Sequence, residues 1–136
     1  MIYTFEQFLS ELHTKIKMGK VFNNLRKRRN SKNTSEIISI DDNSIVYKRE
    51  SDKNPKKIPI KIKIIYDVYK RLYEGYWGDK CSSNDLRKYK PEVFVSIGSG
   101  HGCNCTFVFL VLKELGFVMI EGEGVSKNPF YIIMKK

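Results

Sequence analysis

No apolar run in this chain exceeds six residues, 107–112, whereas a membrane-crossing helix needs about 20. The opening stretch, residues 1–12, carries Glu6 and Glu11 and lacks the basic start and apolar middle of a secretory signal. A soluble, cytoplasmic protein with no membrane partner is the expectation. Cysteine is scarce: there are three, an odd number, and Cys103 and Cys105 are separated by a single residue, which makes a poor disulfide framework for export.

Several catalytic signatures are missing as well. The glycines at 98, 100 and 102 are not followed by Gly-Lys-Ser/Thr, so they do not form a Walker loop, and G-x-G-x-x-G does not occur. Metal-dependent cleavage of nucleic acid wants two or three carboxylates converging on Mg²⁺. Asp41, Asp42, Glu50 and Asp52 are available, but the Asp/Glu-x-Lys triplet of restriction-type nucleases is absent, since Glu50-Ser51-Asp52-Lys53 has the wrong spacing. His13-Thr14-Lys15 lacks the downstream Asp of a phospholipase-D-type nuclease. No enzymatic step and no cofactor are assigned.

What the chain does have is positive charge, and it is local. Residues 15–63 hold 15 Lys and Arg against 5 Asp and Glu, while the remainder is balanced at 10 against 10, so the net +10 belongs to one stretch. Concentrated cations attract a polyanion such as a nucleic-acid backbone. Lysine enrichment from an AT-rich genome is the alternative, a merely solvated charged face. Such drift would spread lysine evenly, whereas here the surplus is confined and includes Arg26, Lys27, Arg28 and Arg29 in succession.

A length of 136 residues with 41% hydrophobic and 12% aromatic composition predicts one compact α+β domain. Phe5, Phe8, Leu9, Leu12 and Ile16 recur at helical spacing, predicting a helix over 4–18 capped by Thr4 and stopped by Gly19. The basic region then changes to period two. Strands are expected over 20–28, 36–40 and 44–50, joined by polar turns at 29–34 and 41–43, as a small antiparallel meander. Residues 1–57 thus read as a helix plus basic meander, ending in a polar loop at 51–57. The second part, 58–136, begins with an apolar-periodic helix over 59–74, closed by Gly75. The alternation of Ile58, Ile60, Ile62 and Ile64 equally fits a strand leading into a shorter helix.

Ser82 or Ser83 is placed as N-cap of a helix over 84–89 that Pro91 terminates. A third helix is expected over 104–115, and a terminal hairpin over 117–121 and 130–134. Helix, helix, helix, hairpin resembles, in element order alone, the winged-helix class of DNA-binding folds. That resemblance implies DNA rather than RNA, and a scaffold for the basic meander. The third helix is apolar on every side and belongs inside a protein, which excludes it as a base reader.

The expected nucleic-acid contacts are Arg26, Lys27, Arg28, Arg29, Lys32, Lys48, Arg49, Lys53, Lys56 and Lys57, with Lys20, Lys61 and Lys63 extending the same surface. Trp77, between Tyr76 and Gly78, is the candidate for stacking on a base, while Tyr66, Tyr69 and Tyr73 share a helical face that fits a core. The stretch 98–105 carries two further readings. Cys81, His101, Cys103 and Cys105 could ligate zinc, although three ligands within five residues crowd a tetrahedral site. Cys103 could act as a nucleophile with His101 as base, although no third orienting group is identifiable. The expected function is nucleic-acid binding, as a bacterial or phage regulator or the recognition module of a DNA-modifying system. An adaptor or inhibitor that docks an acidic protein partner is the alternative.

Overall fold

In the computed structural model, residues 1–23, 25, 34–49, 57–95 and 104–135 are described. The first helix, α1 (Phe5–Lys15), starts at a capping box in which Thr4 accepts from the Gln7 N–H while the Gln7 side chain accepts from the Thr4 N–H. Its apolar stripe buries Phe8, Leu12 and, just past its end, Ile16. The helix stops three residues short of the expected end, because Ile16 already has extended backbone.

Four strands follow: β1 (Val21–Asn23), β2 (Thr34–Ile40), β3 (Ser44–Arg49) and β4 (Ile58–Lys61). They form one antiparallel sheet in sequence order, β1-β2-β3-β4. The expected meander is therefore present with a fourth strand. Ile58 pairs with Tyr47 and Ile60 with Ile45, so the isoleucine alternation at 58–61 belongs to a sheet, and the helix expected from Pro59 begins only at Ile62. Pro59 is tolerated because β4 is an edge strand. Alternation sorts the two faces: Phe22, Ile37, Ile45, Tyr47 and Ile60 point into the core, and Val21, Glu36, Lys48 and Lys61 lie on the other face.

The rest of the chain runs α2 (Ile62–Tyr73), β5 (Lys80–Ser82), α3 (Ser83–Tyr89), α4 (Pro91–Phe94), α5 (Cys105–Glu114), β6 (Val118–Glu121) and β7 (Tyr131–Met134). The second sheet has the order β5-β7-β6. The expected hairpin is present as β6 and β7, and Ser82 caps α3 in a capping box with Asp85. Two elements stand outside the simple helix, helix, helix, hairpin order: β5, which exists through its pairing with β7, and α4, which Pro91 starts. Helix α3 ends at Tyr89, before Pro91 as expected, and Pro91 also occupies the first turn of the next helix, where its missing N–H costs nothing.

One core joins the two sheets. Helix α5 buries Cys105, Phe107, Val108, Phe109, Val111 and Leu112, as its uniform apolarity required. Phe107 stacks face to face on Tyr47 at 3.7 Å and meets Phe22 edge-on at 6.0 Å, which fixes α5 beneath the first sheet. Tyr66 and Tyr69 are buried beside Phe8, with Tyr66 donating to the Tyr3 carbonyl and the Tyr3 N–H donating to Tyr69. Their expected packing role holds. Tyr73, at 42% exposure, lies at the margin of that face.

Candidate nucleic-acid interface

Arg26, Lys27, Arg28, Arg29, Lys32, Lys53 and Lys56 lie outside the described residues, as do His101 and Cys103. The strand ends from which those basic segments depart are nevertheless fixed. Asn23 pairs with Thr34, Ser35 with Arg49, and Tyr47 with Ile58. The chain therefore leaves the sheet after Asn23, returns at Thr34, leaves again after Arg49 and returns at Ile58, all at one end. Residues 24–33 contain five Lys and Arg and no Asp or Glu, and residues 48–57 contain five against Glu50 and Asp52. Most of the surplus charge is thus attached to a single end of the meander.

Tertiary contacts anchor that end. The Tyr47 hydroxyl donates to the Asn104 side-chain carbonyl, and the Asn104 amide donates to the Val93 carbonyl at 2.8 Å. Arg49 donates to the Tyr47 hydroxyl at 3.2 Å, and its guanidinium lies 5.8 Å from the centre of the Tyr47 ring. Arg49 is accordingly held on the core side of the strand. Asn104 immediately precedes α5, so the start of that helix sits at the same end of the sheet.

The described lysines divide into groups. Lys48 pairs with Glu36 at 3.8 Å, Lys20 with Glu114 at 3.2 Å and Lys15 with Glu11 at 3.0 Å. Half-exposed pairs of this kind contribute little to stability, but they offset charge that a ligand would otherwise meet. Lys57 is exposed and adjoins the basic end, with no ion pair among the described residues. Lys61, opposite Ser44, and Lys63, whose ammonium lies 5.6 Å from the Phe5 ring, belong to the other end. They do not extend the surface around Arg49.

Trp77 is separate again. Its described ring contacts are with Tyr76 at 5.2 Å and Tyr89 at 5.4 Å, both edge-on. Arg71, near the end of α2, lies over the Tyr76 ring at 4.9 Å and over Tyr89 at 5.9 Å. A hydrogen bond with Tyr89, and secondarily the ring's own charge, holds the Arg71 proton more firmly than usual. Lys90 approaches the Tyr89 ring at 5.4 Å. The sequence reading singled out Trp77, with Tyr76 beside it, and did not name Arg71, Tyr89 or Lys90. The one local signal was a Tyr-Trp pair bracketed by Gly75 and Gly78, whose φ of +76° and +83° shape the turn that displays it.

Among the described residues no group of three or more His, Cys, Asp or Glu could hold a metal. Cys81 and Cys105 are buried and unbridged. Burial, with the Asp85 charge adding to it, pushes the Cys81 thiol far above its ordinary value. The Cys105 thiol donates weakly to the Ser83 carbonyl at 3.6 Å. No described helix is long and apolar enough to cross a membrane. Neither a protein-family model, nor a curated protein, nor a solved structure matches this chain.

Proposed function

We propose that this protein binds nucleic acid, DNA in preference to RNA, as a regulator or recognition module without a catalytic step of its own. The observation that carries this reading is the common end of the meander from which both basic segments depart. Five cations without an intervening carboxylate, beside a second segment with a surplus of three, form a charge density suited to phosphates. Arginine contributes most there, because its planar fork matches two phosphate oxygens at once. The anchored Tyr47, Asn104 and Phe107 give those segments a rigid base.

Titration of labelled duplex DNA, single-stranded DNA and RNA at increasing salt tests the reading. If six cations meet phosphates, the logarithm of affinity falls against the logarithm of salt with a slope near −5, about a thousandfold between 50 and 200 mM. Absence of binding tighter than millimolar at low salt, for all three, overturns it. The basic end would then be assigned to an acidic protein partner.

A further inference from the structure

Three aromatic rings at the surface need a reason for being there. Tyr76 is 57% exposed, and Trp77 and Tyr89 are half-buried, although the chain has a core that buries Phe8, Tyr47, Tyr69, Phe94 and Phe109 completely. The rings are also ordered against one another: Tyr76 and Trp77 stand at 87°, Trp77 and Tyr89 at 90°, and Tyr76 and Tyr89 at 61°. Arg71 lies over two of them, Tyr76 and Tyr89, and Lys90 also approaches the Tyr89 ring. Among the described residues Glu74 is the one carboxylate that acts on Arg71, and its effect is the smallest of those on that guanidinium. From residue 70 to residue 90 there are six Lys and Arg against three Asp and Glu, so the surroundings favour an anion.

We propose that Arg71, Tyr76, Trp77, Tyr89 and Lys90 form a stacking site for an unpaired nucleobase, with the two cations taking the adjoining phosphates. The proposal rests on the nucleic-acid reading and adds strandedness to it. A flat ring with a cation over one face is a better partner for a base on its other face, and base-aromatic stacking tolerates any sequence. A paired base inside a duplex offers no such face. The basic end of the meander carries charge and needs no unpaired base, whereas this cluster does.

The chain has one tryptophan, so its emission reports on the cluster directly. A labelled single-stranded oligothymidine and a blunt duplex of equal charge are titrated into the full chain, with anisotropy reporting binding and tryptophan emission reporting the site. The single strand is expected to quench Trp77 and the duplex to leave it bright. Tyr76→Ala and Tyr76→Leu should weaken the single strand about tenfold, Tyr76→Phe should not, and duplex affinity should be unchanged throughout. Tyr76→Leu retains apolar bulk, so a fold lost in the alanine variant does not obscure the result. Anisotropy that rises with the single strand while Trp77 emission stays constant, or while Tyr76→Leu binds as the parent does, overturns the stacking site and leaves the proposed function standing. No anisotropy change with either strand at low salt overturns both.

Discussion

At one end of the first sheet, the β2–β3 turn supplies Asp41 and Asp42, and the β4–α2 junction supplies Lys61 and Lys63, so the charges cancel. The turn at that end closes on its own side chain, and two contacts from elsewhere in the chain reach it. Asp41 accepts from the N–H groups of Asn43 and Ser44 at 2.7 and 2.8 Å, the Ile62 N–H donates to the Asn43 carbonyl, and His13 reaches Asp42 at 2.9 Å. At the other end the two departing segments bring a large surplus of cations, and the anchoring comes from far along the chain, through Asn104 and Phe107. A short-range turn can close an end that has no further task. An end that gathers like charges gains from packing against the core, because their mutual repulsion works against holding the strands together.

The largest effect should come from cutting that long-range anchor. Phe107 is 2% exposed and stacks on Tyr47, so Phe107→Ala should cost about 3–5 kcal/mol in urea unfolding. A loss below about 1 kcal/mol would mean that the two ends do not differ in this way. Next in size is the charge itself. Reversing Arg26, Arg28 and Arg29 to glutamate should reduce DNA affinity by on the order of a hundredfold at 0.1 M salt, with the far-ultraviolet spectrum unchanged. Neutralising Asp41 and Asp42 to asparagine should change it less than about threefold. The seven residues of β2 span about 20 Å, roughly two Debye lengths at that salt, so the far end is screened from a ligand at the near one. Equal effects from both sets would show that net charge alone governs binding and that its placement along the strands is irrelevant.

What the sequence revealed of this arrangement followed the range of each interaction. The cap at Thr4 and the turn at 41–43 depend on neighbours within three residues, and both could be read directly. The segment at 58–64 could not be assigned, because its isoleucines satisfy period two and its later apolar residues satisfy a helical period. Pairing of Ile58 and Ile60 with Tyr47 and Ile45, more than ten residues away, decides it. The strand β5 has three residues, too few for a pattern, and exists because β7 is there to bind it. The basic surplus was legible as composition, but its gathering at one end needed the strand order. Arg71 and Tyr89 are 18 residues apart in sequence, and only the tertiary fold brings the two together beside Tyr76, with Trp77 against Tyr89.

The smallest predicted effect probes the locally held end. Asp41 is exposed, and the hydrogen bonds from Ser44 and then Asn43 favour its ionised form, which lowers its pKa below the usual carboxylate value; His13 adds a weak attraction. A carboxyl whose folded value lies below its unfolded value contributes stability fully above the unfolded value, about 4, and loses it as pH falls through the lowered folded value. Asp41→Ala should therefore melt below the parent by a gap that is constant above about pH 5 and closes as the pH is taken down toward 2. Thermal melts of both proteins across that range measure it. A gap that persists unchanged at pH 2 would show that the turn depends on the side chain's shape, because a protonated carboxyl offers the two N–H groups a much poorer acceptor. The same series on Phe107→Ala should show a gap without that acid-side closure, since no titrating group is removed with the ring. Distinct pH profiles for the two variants are what a locally closed end and a core-anchored end require.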